Sequence, residues 1–290
     1  MIRRFIGLLV FALAAPAAAS AGVPETVYLA SADGRTELVG YLFMPAGSGP
    51  YPAVVMLHGR GGPYSTNVNR ACTLVARSTN SPCNAATLSK RHRTWGEYWA
   101  AQGYLALLVD SFGPRGKAYG FGRFTHGDPV RDDVNERTVR PLDAEGALAW
   151  LRKRRDVVAD DIFLQGWSNG GSTALNVIYR QGMQTSGFRA ALAFYPGCGP
   201  KAMLGRELSS KVPVTMFLAS EDEEVSPALC QQFAQRSREA GSPVDVVLYP
   251  GAVHGFDDPG ARRQSATANR SATTDAFQRA LATLRSLGTR

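Results

Sequence analysis

The sequence predicts an α/β fold, a mostly parallel, doubly wound sheet of about eight strands flanked by helices. Two observations carry the prediction. YPAVVMLHG, YLALLVDSF, DIFLQGWS, RAALAFYP and VPVTMFLAS are short, nearly continuous apolar runs, the pattern of strands buried on both faces. Between them lie segments with helical spacing, and strand alternating with helix implies a mostly parallel sheet.

The elements follow in order. MIRRF carries two arginines, and an apolar run from Ile6 to Ala15 leads into the small-residue stretch AAPAAASAG. This is the layout of a secretory signal peptide, with Ala19 and Ala21 satisfying the small-x-small rule and cleavage expected after Ala21. Its apolar core of about ten residues is half the roughly 20 that span a bilayer, so the expectation is a soluble, exported protein with no stable membrane insertion, periplasmic or extracellular. Residues 22–290 are long enough for one large α/β domain, and 44% apolar composition supports a sizeable core.

ETVYLAS and ELVGYLFMP alternate apolar and polar positions around ADGRT, which predicts an antiparallel hairpin opening the sheet. The buried strands come next, separated by the helical patterns TWGEYWAAQG, LDAEGALAWLRKR within Arg140 to Arg155, STALNVIYRQG and SPALCQQFAQRSREAG. A last strand, VDVVLYPG, precedes the HGFDD loop and a C-terminal helix around Thr274 to Leu287. Two stretches, Gly61 to His92 and Gly113 to Asp133, break this rhythm. Both follow strand C-terminal ends, where open α/β sheets bind ligands, and they read as loops bordering an active site.

The formal charge is +8, falling to about +6 without Arg3 and Arg4, and basic residues are scattered apart from RKRR and ARR. No nucleic-acid surface is indicated. Cys72, Cys83, Cys198 and Cys230 are an even number in a chain read as exported, which points to disulfides; they lack the close spacing of zinc ligands, and no histidines cluster near them. Of three possible pairings we favour Cys72 with Cys83, inside one loop, and Cys198 with Cys230.

Gly166-Trp167-Ser168-Asn169-Gly170 matches GxSxG directly after an apolar strand and before a helical pattern, the context of the nucleophile elbow of the α/β-hydrolase fold. A serine hydroxyl needs an adjacent imidazole to take its proton. Of His58, His92, His126 and His254, only His254 follows the last strand, in PGAVHGFDD, as the chain order Ser, acid, His requires. The orienting carboxylate belongs in the loop after VPVTMFLAS. That loop offers Glu221, Asp222, Glu223 and Glu224; Asp222 is preferred as a short acid close to the strand end, with Ser226 capping the next helix and Glu221 and Glu224 read as solvated charges. Leu57-His58-Gly59-Arg60-Gly61-Gly62 lies where the fold places its second oxyanion donor, so the amides of Arg60 and Asn169 are the candidate donors. His58 is read as a structural residue of that loop rather than as a base.

Together these residues resemble the dienelactone hydrolase family: LHGRGG and VDSFGPRG after successive strands, GWSNGG at the elbow, then FLASEDEEVSP and PGAVHGFD, across almost the whole chain after the leader. The resemblance implies acylation of Ser168 with His254 as base, then attack by water, with no metal or organic cofactor. Better-studied members use a cysteine nucleophile and carry an acid after the first His of the HG-like loop, where this chain has Ser168 and Gly59. Dienelactone itself is therefore not carried over as substrate. Trp167, Tyr195 and Trp95 are candidates to line the substrate pocket or to belong to the core. Arg115 is a candidate for a substrate carboxylate, or for a structural pair with Asp110. The expected activity is hydrolysis of a small or medium carboxylic ester; a peptidase or polyester and cutin-type hydrolase of the same fold, and an inactive ligand-binding protein, are the competing readings.

Overall fold

The apolar runs form strands whose alternate residues enter two separate cores. Along β3 (Tyr51–Leu57), Ala53, Val55 and Leu57 enter one core and Val54 and Met56 the other; β4 (Leu105–Asp110) divides Leu105, Leu107 and Val109 from Ala106 and Leu108 in the same way. Side chains of a strand alternate faces, so burial of both faces leaves no solvent-facing position in the run. The computed structural model describes residues 22–125, 127–184 and 186–289. The expected leader, ending at Ala21, and His126 lie outside the described residues.

The sheet has eight strands in the order β1-β2-β4-β3-β5-β6-β7-β8. β1 (Glu25–Ala30) and β2 (Glu37–Phe43) form the expected antiparallel hairpin, with Ala30 opposite Glu37, and β2 also runs antiparallel to β4. The other neighbours, through β5 (Val157–Trp167), β6 (Ala191–Phe194), β7 (Val214–Ala219) and β8 (Val244–Tyr249), are parallel. The chain leaves β3 for β4 on one side and returns to β5 on the other. Loops after β3 and β5 therefore diverge and open a crevice at their C-terminal ends, where Leu57 pairs with Gly166.

Helices cover both faces. In chain order they are α1 (Thr66–Asn69), α2 (Lys90–Ala101), α3 (Arg140–Arg152), α4 (Asn169–Gln181), α5 (Pro227–Glu239), α6 (Ala261–Gln264) and α7 (Thr267–Leu287). Apolar faces of α3, α4 and α5 fill one core; Trp95 and Trp99 of α2 and the stripe Ala272, Ala276, Ala280 and Leu284 of α7 fill the other. α7 begins at Thr267, earlier than the sequence suggested, and from Ala272 onward small residues four apart let the helix approach the sheet closely. The Gly61 to His92 stretch is more ordered than a plain loop: it holds α1, a 3₁₀ turn at Ala85–Thr87 capped by Asn84, and the start of α2 capped by Ser89.

The cysteines pair as favoured, Cys72 with Cys83 and Cys198 with Cys230. Among the described residues, no helix is long and apolar enough to cross a membrane.

Candidate active site

Ser168 stands between β5 and α4 with φ 53° and ψ −115°, a region that L-residues rarely adopt. The flanking glycines are a steric requirement of this turn. A Cβ on Gly166 would lie 2.1 Å from the carbonyl oxygen of Gly170, and one on Gly170 would lie 2.0 Å from that of Leu57. Strand, turn and helix thus pack backbone to backbone, and Ser168 is lifted to a half-buried position at the crevice.

The loops after β7 and β8 meet it there. His254 Nε2 lies 3.0 Å from Ser168 Oγ, and His254 Nδ1 lies 2.8 Å from Oδ2 and 3.0 Å from Oδ1 of Asp222. Both side chains are buried, with 9% of His254 and 1% of Asp222 exposed. Asp222 Oδ1 also accepts from the amides of Glu224 and Val225 at 2.9 Å, which fixes the carboxylate before it meets the ring. Because a carboxylate can only accept, Nδ1 carries the proton and Nε2 is left to accept from the serine. Ser226 caps α5 as expected, accepting from Leu229.

Glu224 is not the solvated charge that the sequence suggested. Its side chain is 10% exposed, Arg60 binds it through Nε and Nη2 at 3.0 Å, and Arg123 Nε reaches it at 2.8 Å. It ends 3.7 Å from His254 Nε2. Burial alone would raise the neighbouring Glu223 carboxyl, but backbone hydrogen bonds, including one from the His254 amide at 3.0 Å, and Arg263 outweigh it and hold the group below its ordinary value.

On the other side, the loop after β3 packs against the elbow, where a Cβ on Gly59 would lie 3.3 Å from the carbonyl oxygen of Trp167 and 3.6 Å from the Cβ of Ser168. His58 sits beneath, fully buried; its Nδ1 donates to the carbonyl of Gly59 at 2.7 Å and its Nε2 accepts from the amide of Ser111 at 3.2 Å. Burial, reinforced by Arg140, pushes its pKa well below the ordinary imidazole value, and a ring engaged at both nitrogens acts as a brace for the loop.

The candidate substrate residues go elsewhere. Arg115 does not reach the site: it forms a two-pronged pair with Asp143 at 2.8 Å and touches Asp33 at 3.1 Å, because the turn after β4 directs it toward α3 and the β1–β2 hairpin. Its partner is not Asp110, whose carboxylate instead accepts from Tyr64 and the amides of Phe112 and Gly113. Trp95, Trp167 and Tyr195 are brought together, but facing inward: all are fully buried around Asp257. Both indole N–H groups donate to its Oδ2 at 2.8 Å, the tyrosine hydroxyl donates to Oδ1 at 2.5 Å, and Arg91 Nε lies 3.2 Å from Oδ1. Burial raises the Tyr195 hydroxyl well above its ordinary pKa, so it stays a donor. The Tyr195 ring, on a backbone with φ 35°, packs edge-on against His254 at 4.7 Å. The sequence reading missed this hub. Asp257 was visible in HGFDD, but nothing local distinguishes it from Asp258.

Among the described residues, no group of three or more His, Cys, Asp or Glu side chains could hold a metal ion. Comparison with known proteins gives a consistent relationship. The sequence pattern of the dienelactone hydrolase family matches residues 86–288. The fold resembles a putative dienelactone hydrolase from Klebsiella pneumoniae, at 17% identity over 90% of this chain and 99% of that one, TM-score 0.65. It resembles a dienelactone hydrolase-like promiscuous phosphotriesterase from metagenomic libraries, at 18% identity over 92% and 99%, TM-score 0.66. A thermophilic esterase from Thermogutta terrifontis, solved with propionate bound, matches at 20% identity over 93% and 96%, TM-score 0.60.

Proposed function

The chain belongs to the dienelactone hydrolase family, with the α/β-hydrolase fold, and from that premise we propose a carboxylic ester hydrolase that works through an acyl-enzyme on Ser168. The observation that carries this reading is the unbroken series Ser168 Oγ, His254 Nε2, His254 Nδ1, Asp222, with each contact at 3.0 Å or less. In the first half-reaction Ser168 Oγ attacks the ester carbonyl while His254 Nε2 takes its proton. The tetrahedral intermediate then collapses, the C–O bond to the alcohol breaks, and Nε2 returns the proton to the departing alkoxide oxygen. In the second, His254 takes a proton from water, the hydroxide adds to the acyl carbon, and collapse releases the carboxylic acid with the proton restored to Ser168.

Asp222 holds the imidazole tautomer and balances the imidazolium that forms in each step. The amides of Arg60 and Asn169 supply the donors for the oxyanion; fixed donors of this kind contribute about 3–4 kcal/mol each where they have been removed in other hydrolases. A small or medium ester is the proposed substrate, supported by the esterase from Thermogutta terrifontis captured with propionate and, separately, phosphorylated by paraoxon. The two disulfides accord with the proposed export.

Fluorophosphonate labelling of the protein, together with turnover of short-chain p-nitrophenyl esters, tests this. Wild type is expected to label and turn over, Ser168→Ala to do neither, and His254→Ala to lose most of both. Folded wild type that neither labels nor hydrolyses esters overturns the proposal in favour of a ligand-binding role.

A further inference from the structure

Both loops that carry the oxyanion donors converge on one buried cation. Arg140, at the first turn of α3, is 0% exposed, and each of its two terminal nitrogens serves a different loop. Nη2 donates to the carbonyl of His58 at 2.8 Å, two residues before Arg60, and Nη1 donates to the side-chain carbonyl of Asn169. Its planar face lies over Phe112, 5.1 Å from the ring centre, and its Nε has no partner among the described residues.

Burying a guanidinium is costly, and a site used only for packing is filled more favourably by an apolar residue. Here burial pushes the group down to about 10, with Asp143 and Glu136 opposing the shift, so it stays charged at neutral pH. The helix that presents it is itself anchored: Arg115, through its two-pronged contact with Asp143 on the next turn of α3 and its contact with Asp33, ties α3 to the β1–β2 hairpin. A rigid, bidentate cation therefore bridges the β3 loop and the nucleophile elbow.

We infer that Arg140 is the positioning residue of the oxyanion hole: it sets the separation of the Arg60 and Asn169 amides and places a fixed positive charge behind them. It touches neither substrate nor reacting atoms. Catalysis by preorganised donors depends on their spacing, because a donor displaced by a fraction of an ångström serves the ground-state carbonyl as well as the oxyanion.

The inference rests on the serine-hydrolase reading, and one experiment separates the two. Wild type, R140Q, R140K and N169A are compared on a short-chain ester and on its thionoester, in which sulfur replaces the carbonyl oxygen and accepts hydrogen bonds poorly. Folding is checked by circular dichroism and thermal unfolding. For R140Q the expected result is a fall in kcat of about 100-fold with KM changed less than about threefold. The ratio of ester to thionoester kcat/KM should fall at least tenfold, since an oxyanion hole that no longer fits ceases to favour oxygen. R140K, which keeps the charge but cannot span both acceptors, and N169A, which removes one, should fall between; if R140Q does not fold, these two carry the same ratio. A general loss of packing lowers both substrates alike, so an unchanged ratio in every folded variant overturns the role of Arg140 and leaves the serine mechanism standing. Wild type that turns over neither substrate overturns the parent reading and this inference with it.

Discussion

At the scale of single residues, the candidate site separates groups that act from groups that hold. Asp222 accepts the Nδ1 hydrogen bond at 2.8 Å and two from backbone amides besides, so Asp222→Asn should keep the fold but invert the imidazole tautomer. A fall in kcat of about 10³- to 10⁴-fold, measured on a p-nitrophenyl ester at neutral pH, is expected; activity within tenfold of wild type would remove Asp222 from its proposed role. Asp257 makes a different demand. It accepts from two indoles and a tyrosine and pairs with Arg91 in a buried setting, and an amide there would aim its own N–H groups at donors. Asp257→Asn should cost about 2–4 kcal/mol in urea unfolding, and a cost below about 1 kcal/mol would mean that the aromatics stay in place through packing alone. The candidate acting residues were legible in the sequence because their motifs are local, GWSNGG at a strand–helix junction and a lone histidine after the last strand. The holding residues were not, since Asp257, Arg140 and Glu224 acquire their meaning from partners 29 to 166 positions away.

At the scale of elements, the elbow is a packing problem solved by glycine. Gly170→Ala would drive a Cβ to within 2.0 Å of the Leu57 carbonyl, so β3 and α4 would have to separate. Such overpacking costs typically about 1–3 kcal/mol and more against backbone. We expect Gly170→Ala to lower the unfolding midpoint clearly and to abolish fluorophosphonate labelling even in the fraction that folds, because separating those elements moves the Arg60 and Asn169 amides apart. The disulfides act on longer pieces of chain. Cys72–Cys83 closes 11 residues inside the loop that follows β3, while Cys198–Cys230 closes 32 and joins the segment after β6 to α5, bracketing the loop of Asp222. Loop-closure entropy assigns them roughly 3 and 4 kcal/mol respectively. The paired serine variant of Cys198 and Cys230 should therefore lose more stability in urea than that of Cys72 and Cys83, and the reverse order would show that strain or residual unfolded structure governs instead. Element types and order were readable from periodicity, and the errors lay at edges: the early start of α7 and the capped turns before α2 depend on small or polar residues whose burial is decided by neighbours.

At the scale of the whole molecule, two buried histidines link stability to pH. Burial pushes His92 down to about 4 and His58 well below its ordinary value, while both are free to take protons near 6.5 once the chain unfolds. Folded pKa values below the unfolded ones mean that the unfolded state binds more protons as pH falls, so the full contribution is present above about 6.5 and is lost below it. Asp110 pulls the other way, since burial raises its carboxyl and the folded state keeps that proton longer. Comparing wild type with His92→Asn isolates one group: the stability of wild type relative to the variant should drop by about 1.4 kcal/mol per pH unit between roughly pH 6 and 4.5. Parallel curves in denaturant titrations across that range would exclude His92 as a contributor. What the sequence determined by itself was whatever short-range physics encodes: a doubly wound sheet from continuous apolar runs, an elbow from glycines at fixed spacing, and the chain order of serine, acid and histidine. What only the tertiary structure decided was pairing across the sheet: that Arg115 closes on Asp143 instead of facing a substrate, that Trp95, Trp167 and Tyr195 turn inward to Asp257, and that Arg140 reaches both the loop after β3 and the start of α4. A long polar side chain leaves the backbone with many rotamers of similar energy, and which one it adopts is fixed by burial and by a partner that folding brings within about 3 Å.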